Sequence, residues 1–409
     1  MIKWSTAGES HGSALLALIE GMPAGVEIES TKISRELERR RLGYGRGSRQ
    51  KFEADRIELI SGIRHGKTLG SPISVLIHNS EWPKWKTVMS ADPVDPAALQ
   101  IDAGVGDTRE IARNRKLTKP RPGHADLVGM NKYGFTDARN VLERASARET
   151  AARVALGAIA KEYLRQVAHI EIGSQVLQVG SVSGPESLRG NFTPDNFSDL
   201  DASPVRTLDL DLENRFIAEI DAAKKAGDTL GGVVEIVAFN VPQALGTYTI
   251  AAERLDAQIA AAMMSIQAVK GVEIGDGFRS AGRRGSAAHD EIFPASAENS
   301  DTLFRKTNRA GGIEGGMSNG EPVVVRLAYK PISTVPHALS TIDTETGQAA
   351  TALHQRSDTT AVIPGAVIGE SMLALVLARA LNSQIGGDSM RQAKENLHSF
   401  INSIPQERR

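Results

Sequence analysis

A glycine-rich turn followed by a strand-like run occurs in each half of this chain, and this echo limits the folds available to it. Residues 66–79 read GKTLGSPISVLIHN and residues 227–240 read GDTLGGVVEIVAFN. Apolar residues recur through both runs in a way that favours strands. A weaker third copy, GEPVVVRLAY, begins at residue 320. Two explanations stay open. Turn-plus-strand units can converge on glycine and valine, or the chain has two related halves, each with a sheet packed over helices.

Several stretches with a helical apolar period predict helices. They lie at residues 31–42, 137–167 and 253–269, and from about residues 369 and 388 onward. Asp137 is a plausible N-cap of the long alanine-rich helix at 137–167, while Gly43 and Gly271 are plausible helix stops. Residues 1–7 predict a short first strand. Helices and strands of this kind in alternation indicate a mixed α and β protein.

Some segments carry proline, glycine and polar residues without a clear period. Residues 80–122 contain several prolines, and we interpret them as a loop region at the active site. Residues 181–206 are rich in Ser, Gly, Pro and Asp, and we interpret them as a solvated excursion. Residues 406–409 are interpreted as a tail. Length alone allows two or three domains.

Composition excludes several classes of protein. The chain has no cysteine, which removes disulfides, thiolate metal sites and cysteine nucleophiles. Its nine histidines include no pair at a zinc-ligand spacing, so no metal site is expected. A net charge of −1 and 4% aromatic residues argue against a nucleic-acid partner. We find neither a signal-peptide core nor an apolar run that approaches a membrane span, so a cytoplasmic location without a membrane partner is expected.

The positive charge is concentrated in one place although the chain as a whole is nearly neutral. Six arginines fall between residues 35 and 49, namely Arg35, Arg39, Arg40, Arg41, Arg46 and Arg49. Guanidinium groups bind carboxylates and phosphates bidentately. This cluster therefore indicates a small, highly anionic ligand.

Two short motifs suggest functions that the surrounding sequence argues against. Residues 8–12 match the G-x-S-x-G nucleophile elbow of hydrolases, but only seven residues precede them and no oxyanion loop can come first. Residues 66–68 resemble the end of a phosphate-binding P-loop, but Ser61 occupies the position that requires glycine. We predict a plain turn at residues 66–68. At residues 8–12 the exposed Ser10 and His11 remain to be explained.

Other motifs are modest when taken alone. His124 follows a Pro-Gly turn beside Arg121, a setting that favours a functional role. Arg144 and Arg148 are spaced to share one face of a continuous helix, although an exposed basic face would explain them equally well. A glycine-rich loop at 311–316 lets backbone amides approach a phosphate or a ring, and residues 330–334 and 356–358 add cations, hydroxyls and a carboxylate.

Together these motifs resemble the signatures of the chorismate synthase family. The matching segments are AGESHG from residue 7, RRRLGYGRG from residue 39, RPGHAD from residue 121, ERASARET from residue 143, KPIST from residue 330 and RSD from residue 356. They occur in the family's order and spacing over nearly the whole chain. Thr359 departs from the residue types expected there, at a position to which we assign no role.

The resemblance implies a fold, a reaction and an assembly. It implies one domain over residues 1–409, an α+β fold built as a β-α-β sandwich with two pseudo-related halves and helices packed between antiparallel sheets. It implies a homotetramer that converts 5-enolpyruvylshikimate 3-phosphate into chorismate, the last common step of the shikimate pathway. This reaction is an anti 1,4-elimination of phosphate that needs reduced FMN without net redox change.

The resemblance also assigns roles to residues by matched position. The catalytic residues would be His11 as general acid, His124 as the histidine that protonates reduced flavin, and Asp358 as the base for the C6 proton, relayed through flavin N5. Substrate would be bound by Ser10, Arg40, Arg46, Arg49, Arg121 and Arg148. FMN would be bound by Arg144, Ala145, Ser146, Gln267, Ala268, Gly315, Lys330, Pro331, Ile332, Ser333, Thr334 and Arg356.

Rival functions and one open question remain. A non-catalytic flavin or anion carrier would use the same arginines and loops without needing paired histidines, and a serine hydrolase would use residues 8–12. The source of reduced flavin also stays open. The chain has no G-x-G-x-x-G dinucleotide fingerprint, which favours NADPH acting only indirectly, as the source of reducing equivalents through a separate flavin reductase.

Overall fold

The structure is a computed structural model that describes residues 1–47, 55–100, 113–294, 303–352 and 358–408. Two antiparallel sheets dominate it. The first has the strand order β1-β2-β6-β3 and the second the order β10-β15-β9-β7-β8. The strands of these sheets are β1 Lys3–Ala7, β2 Ala14–Glu20, β3 Ile57–Ser61, β6 Ile73–His78, β7 Glu171–Val179, β8 Val182–Ser183, β9 Gly232–Phe239, β10 Val269–Ile274 and β15 Val323–Tyr329.

Short two-stranded hairpins complete the described strands. They are β4 Ile63–Arg64 with β5 Lys67–Thr68, β11 Ile292–Phe293 with β12 Phe304–Arg305, β13 Ile313–Glu314 with β14 Met317–Ser318, and β16 Ser340–Ile342 with β17 Ala349–Thr351. The turn of the first hairpin is formed by His65 and Gly66, both at positive φ. The turn predicted at residues 66–68 therefore begins one residue earlier, and Lys67 and Thr68 lie in β5.

Helices pack on both sheets. The described helices are α1 Ser30–Arg41, α2 Trp82–Trp85, α3 Pro96–Gln100, α4 Asp126–Tyr133, α5 Arg139–Ala145, α6 Thr150–Ala168, α7 Phe197–Ala202, α8 Leu210–Ala226, α9 Leu255–Met264, α10 Gly285–Ala288, α11 Val362–Ile385 and α12 Met390–Ser403. Short 3-10 turns lie at Ala147–Glu149, Glu186–Leu188, Pro194–Asn196, Ala251–Glu253, Gly277–Gly282 and Gln406–Arg408. The fold is α+β, with extensive helix and antiparallel strand.

The core of the protein lies where α6 and α11 pack against each other. Helix α6 also contacts β2 and β6 of the first sheet, and α11 contacts β7 and β9 of the second. Each copy of the sequence echo supplies a strand inside a sheet, because β6 lies between β2 and β3 and β9 lies between β7 and β15. The echo therefore marks the strands on which the central helices pack.

Gly157 permits the close approach of α6 to α11. A Cβ atom at this position would lie 2.3 Å from the Cβ of Ser371, well inside van der Waals contact. We expect Gly157→Ala to destabilise the protein by ~1–3 kcal/mol, because overpacking outweighs the ~1 kcal/mol gain in helix propensity. Thermal unfolding measures this effect. Gly285→Ala is the control, since Gly285 begins α10 with nothing within 4 Å of its Cβ position, and an equal loss there would contradict the packing argument.

The prediction of one long helix over residues 137–167 is wrong, because the helix is interrupted at Ser146. Ser146 adopts an extended conformation, and its hydroxyl accepts a hydrogen bond from the amide of Arg148 at 3.2 Å. The side chain of Asp137 does accept from the amide of Arg139, at the start of α5. Since α5 and α6 are separate helices, Arg144 and Arg148 do not share one continuous helix face.

Other boundaries also differ from the sequence prediction. Helix α9 ends at Met264, and Gly271 lies inside β10 and is not a helix stop. Helix α11 begins at Val362, seven residues before the predicted start, whereas α12 begins close to its predicted position behind the N-cap Ser389. The solvated excursion predicted at 181–206 is only partly solvated. Phe192 and Leu200 of this segment are buried against Val237 and Val324 of the second sheet. The residues of the predicted tail form a 3-10 turn at Gln406–Arg408.

Helix α11 is the one described helix that is long and apolar enough to cross a membrane by length and composition. An 18-residue stretch of this helix has a mean hydropathy of 1.6, and 94% of that stretch is buried inside the protein. A buried core helix explains this pattern, and the expectation that no apolar run approaches the length of a membrane span is corrected for this helix.

Candidate active site

The turn between β1 and β2 places Ser10 and His11 beside the end of α5, and Ser10 is buried there, not exposed as the sequence predicted. Gly8 adopts a φ of 99°, and a Cβ there would lie 2.5 Å from the carbonyl oxygen of Ala14. The amide of Ser10 donates to the backbone carbonyl of Glu143 at 2.9 Å. The amide of His11 donates to Oε2 of Glu143 at 2.8 Å, and Nδ1 of His11 lies 3.0 Å from both oxygens of that carboxylate. The turn therefore holds the histidine against a buried carboxylate.

Trp85 covers the other side of the His11 ring. The centroids of the two rings are 3.8 Å apart and their planes differ by 24°, which is a stacked arrangement. Trp85 lies in α2, inside the segment 80–122 that we interpreted as a loop region at the active site. Part of that segment, residues 101–112, lies outside the described residues.

A buried carboxylate joins two of the predicted substrate arginines. Nη2 of Arg40 donates to Asp55 at 3.3 Å, and Nη1 of Arg148 makes a short contact with the other oxygen of Asp55. Burial, together with the neighbouring charges of Arg148 and Arg46, lowers the pKa of Arg40 to about 10, although Asp55 opposes this. Burial alone would raise the pKa of Asp55, but Arg40 and Arg148 hold it below its usual range. Arg40, Asp55 and Arg148 thus form one charged group.

Arg46 and Asp358 form a second pair. Nη1 of Arg46 lies 2.5 Å from Oδ2 of Asp358, and Oδ1 of Asp358 accepts the amide of Gly47 at 2.7 Å. Burial lowers the pKa of Arg46, and Asp358 partly offsets this. Arg40 and Arg46 are six residues apart in the same segment, and Arg46 contributes to the lowered pKa of Arg40. Together the two groups place three guanidiniums against two carboxylates.

Ser10 is linked to this charged group through Ser146. The Oγ atoms of Ser10 and Ser146 are 3.2 Å apart, and Ser146 precedes the 3-10 turn that carries Arg148. Ser146, at the interruption between α5 and α6, thus connects the turn that carries His11 to the arginines. Asn79, at the end of the first repeat copy, donates to the carbonyls of Ser10 and Gly12 at 3.1 Å and stabilises the turn.

His124 and Arg121 share the carboxylate of Asp126. Nε and Nη2 of Arg121 donate to the two oxygens of Asp126 at 2.8 and 3.1 Å, and Nδ1 of His124 lies 2.6 Å from Oδ1. Burial alone would raise the pKa of Asp126, but its hydrogen bonds with His124 and Arg121 hold it well below its usual range. Nη1 of Arg121 donates to the hydroxyl of Thr334 at 3.0 Å. This hydrogen bond connects the His124, Arg121 and Asp126 group to residues 330–334, which were predicted to bind FMN.

Backbone contacts connect the segment 330–334 to the Asp358 segment. The hydroxyl of Thr229, in the second repeat copy, donates to the carbonyl of Ile332 at 2.8 Å. The next residue, Leu230, donates its amide to Thr359, and the amide of Thr359 donates to Gly45. These hydrogen bonds connect the segment that contacts Arg121 to Gly45 and Thr359, the sequence neighbours of Arg46 and Asp358.

The predicted FMN residues make contacts in more than one part of the structure. Nε2 of Gln267 donates to Glu149 at 3.2 Å, and its Oε1 is buried without a hydrogen-bond partner among the described residues. Nζ of Lys330 makes a short hydrogen bond to the carbonyl of Gly123, and its amide donates to Ala268 at 2.9 Å. Gly315 lies in the β13–β14 turn, where a Cβ would meet one atom, at 4.0 Å. The unpartnered acceptor and the open glycine fit FMN.

The chain is similar to known proteins over nearly its whole length. The family model described as chorismate synthase matches residues 2–381. A protein of Beutenbergia cavernae named chorismate synthase is 58% identical over the full length of both chains. One of Mycobacteroides abscessus with the same name is 56% identical over 99% of this chain and 95% of its own. A solved structure described as the crystal structure of chorismate synthase has a TM-score of 0.75 and 38% identity, covering 98% of both chains.

The chain belongs to the chorismate synthase family. Membership makes it an enzyme of the lyase class that acts on a small-molecule substrate, in aromatic biosynthesis by the shikimate pathway.

Most of the residues matched to the chorismate synthase family are in contact with another member of that set or share a partner with one. Arg144 donates to the backbone carbonyls of Gly8 and Thr6, so it contacts the histidine turn and does not line up with Arg148. Among the described residues, we find no contact between Gly315 and another residue of the matched set. Arg49 and Arg356 lie outside the described residues.

Several residues of this chorismate synthase site were not assigned a role from the sequence. They are Asp55, Trp85, Asp126, Glu143 and Glu149, which orient the matched histidines, arginines and Gln267. Asp126 ends one matched motif and Glu143 begins another, so their place in the motifs could have identified them as site residues. Asp55 and Trp85 had no comparable sequence signal.

The geometry of the described residues does not support a serine hydrolase built on Ser10 and His11, and it shows no cluster of metal ligands. Nδ1 of His11 faces Glu143, while the side-chain hydroxyl of Ser10 faces Ser146. Among the described residues, there is no group of three or more His, Asp or Glu side chains that could hold a metal ion.

Proposed function

We propose that this enzyme removes phosphate from C3 and a proton from C6 of 5-enolpyruvylshikimate 3-phosphate in an anti 1,4-elimination that yields chorismate. One observation carries the proposal. Among the described residues, the largely buried side chains of Arg40, Arg46 and Arg148 outnumber the carboxylates of Asp55 and Asp358 that pair with them. Such an excess of largely buried cations favours an anionic ligand, and this substrate carries one phosphate and two carboxylates.

The arginines keep donors available for such a ligand. The Nε atoms of Arg40 and Arg46 are buried and have no hydrogen-bond partner among the described residues. Arg40 and Arg148 are held in place by Asp55, so their remaining N–H groups are oriented before substrate arrives. Ser10 would bind beside them, and Arg121 and Arg49 complete the proposed substrate set. These residues would bind and orient the anionic groups and offset the charge of the departing phosphate.

The two histidines and Asp358 would handle protons. His11, beside Ser10, is the proposed donor to the departing phosphate, and Asp358 the proposed acceptor for the C6 proton. His124 would hold a proton at the flavin site, where Lys330 and Thr334 are its neighbours through Gly123 and Arg121. Reduced FMN, when bound, supplies the electron density that loss of the allylic phosphate requires and recovers it when the C6 proton leaves.

The proposed FMN set is Arg144, Ala145, Ser146, Gln267, Ala268, Gly315, Lys330, Pro331, Ile332, Ser333, Thr334 and Arg356. Oε1 of Gln267 would accept from a ring N–H, and Lys330 would offset negative charge on the ring. Small side chains at Ala268 and Gly315 would leave room for it. The proposed assembly is a homotetramer in the cytoplasm. NADPH would act only through a separate flavin reductase.

The proposed fold relationship is a β-α-β sandwich of two related halves. It is supported by the sequence echo, whose copies supply β6 and β9, and by the packing of α6 and α11 between the sheets on which those strands lie.

Anaerobic phosphate release tests the proposed function directly. With FMN reduced once by light, we expect many chorismate molecules per flavin, whereas oxidised FMN alone should give none. If the reaction stopped after one chorismate per flavin, with the FMN left oxidised, the redox-neutral elimination would be wrong. A non-catalytic carrier would bind the substrate and release no phosphate. Labelling by a serine-reactive fluorophosphonate would instead support a hydrolase.

Replacement of Asp358 tests its role as the base. We expect Asp358→Asn to lower kcat by ~10²–10⁴, because a positioned proton acceptor is lost, while FMN and substrate binding change little. Asparagine has a similar shape and can still accept the amide of Gly47. Steady-state kinetics and FMN titration measure both effects. Asp221→Asn is the control. Asp221 is an exposed carboxylate that accepts a hydrogen bond from the hydroxyl of Tyr44, which lies two residues before Arg46. Unchanged turnover in Asp358→Asn would remove Asp358 from the mechanism.

A further inference from the structure

The ring of His11 is held from two directions by residues to which the matched motifs assign no role. Glu143 contacts both the backbone amide and Nδ1 of this histidine, and only 1% of its side chain is exposed. Trp85 stacks on the ring face at 3.8 Å. Arg139 anchors both partners, with Nη1 3.6 Å from Glu143 and Cζ 5.4 Å from the centroid of Trp85. A ring held at one nitrogen and at one face has a defined orientation.

We infer that Glu143 is a positioning residue that keeps a proton on Nδ1 of His11 and thereby assigns proton exchange with the substrate to Nε2. The inference rests on the proposed function, because it names the atom through which His11 would act. Glu143 itself touches the histidine and not the reacting atoms.

The argument follows from the hydrogen-bonding capacity of the two groups. A carboxylate only accepts hydrogen bonds, so the nitrogen that contacts it must carry hydrogen. In a neutral imidazole one nitrogen carries hydrogen and the other does not. The contact at Nδ1 therefore leaves Nε2 of the neutral ring as the acceptor. Without such a contact the choice of nitrogen would be open.

The proposed proton transfer balances with this assignment. In the protonated ring both nitrogens carry hydrogen, and the Nε2–H bond breaks as a new O–H bond forms on the departing phosphate. The electron pair of the broken bond stays on Nε2. The ring becomes the neutral form with hydrogen on Nδ1, which is the form that Glu143 binds. The ring does not have to reorient between the two states, so its position is the same before and after the transfer.

Trp85 contributes by fixing the ring plane. Rotation about the Cβ–Cγ bond of His11 would move both ring nitrogens, and the stacked indole opposes this rotation. The segment that carries Trp85 is separated in sequence from both β1 and α5. The position of the His11 ring therefore depends on three parts of the chain.

The nitrogen shifts of the His11 ring test the inference without any turnover. We expect solid-state ¹⁵N NMR of histidine-labelled protein, at a pH where the ring is neutral, to show hydrogen on Nδ1. His11→Asn identifies the signal by its loss. Hydrogen on Nε2 in the unmodified protein would overturn the inference. Because this readout needs no substrate, it stands even if the protein releases no phosphate, so failure of the proposed function remains distinguishable.

Variants then connect the tautomer to catalysis. Glu143→Gln can donate as well as accept, so we expect a mixed or reversed tautomer and a loss in kcat on the order of 100-fold with KM little changed. Glu143→Asp should restore the tautomer and part of kcat. The control is Glu58→Gln, which alters an exposed glutamate 3.0 Å from Nε2 of His78. A rise in KM with kcat unchanged, or an unchanged tautomer in Glu143→Gln, would overturn the assignment.

Discussion

Glu370→Gln is expected to destabilise this protein by ~3–5 kcal/mol, the cost of breaking a buried ion pair by removing one partner. Glu370 lies in the middle of α11, and its side chain is fully buried. Its carboxylate contacts Arg39 at 2.7 Å, Lys161 at 2.7 Å and Arg206 at 3.1 Å. Glutamine would keep the shape and remove the charge, leaving these cations without their shared partner.

The network around Glu370 is balanced in charge. Glu36 pairs with Arg39 and Lys161, and Asp201 pairs with Arg39 and Arg206. Three cations therefore meet three carboxylates. These contacts join α1, α6 and α11 with the segment that carries Asp201. Loss of Glu370 is expected to affect the whole core and not one surface of it.

Acid should reveal the same network. Burial alone would raise the pKa of Glu370, but Arg39, Lys161 and Arg206 hold it well below the usual glutamate range. A depressed folded-state pKa stabilises the protein at pH values above the unfolded pKa of ~4.3, and this stability is lost as the pH falls towards the folded pKa. We therefore expect the difference in unfolding free energy between the unmodified protein and Glu370→Gln to be constant from about pH 5 upward and to narrow below about pH 4.

Chemical denaturation across this pH range measures the effect. Glu38→Gln is the control, because Glu38 is an exposed glutamate on α1 close to the same network in sequence. A loss below ~0.5 kcal/mol in Glu370→Gln, within the range of ordinary surface substitutions, would contradict the assigned role.

Arg46→Ala is expected to weaken binding of the phosphorylated substrate roughly 10- to 150-fold, which corresponds to ~1.5–3 kcal/mol for one charge-assisted hydrogen-bonding group. Arg46 is largely buried, pairs with Asp358 and has an Nε atom without a partner among the described residues. Alanine would remove that donor and leave Asp358 without its guanidinium. Titration of the substrate into enzyme with oxidised FMN measures the binding without turnover.

Arg35→Ala is the matched control for this experiment. Arg35 belongs to the same run of arginines but is exposed on α1. We expect its replacement to change the substrate Kd less than twofold, since an exposed charge is screened by water and salt. Equal losses for Arg35→Ala and Arg46→Ala would mean that the arginines act as a diffuse field and not as a defined site.

The arginine cluster shows how far the sequence could be interpreted. Its composition predicted a site for a small anionic ligand, and the matched motifs selected Arg40 and Arg46 within it. The neighbour of Arg40, Arg39, belongs to the Glu370 network. Both side chains are buried, so neither burial nor residue type distinguishes a structural arginine from a binding one. Only the location of the partner carboxylates separates them.

The sequence by itself determined the residue types of the site, the strands β6 and β9, and membership of a family. Motifs and apolar periods are local, so they can be recognised without knowing which distant segments meet. The tertiary structure alone decided the partners of these residues, because packing brings together positions far apart in the chain. Glu143 lies 132 residues from His11, and Asp358 lies 312 residues from Arg46. The position of Ser146 beside Ser10 belongs to the same class, since the two residues are 136 positions apart in the chain.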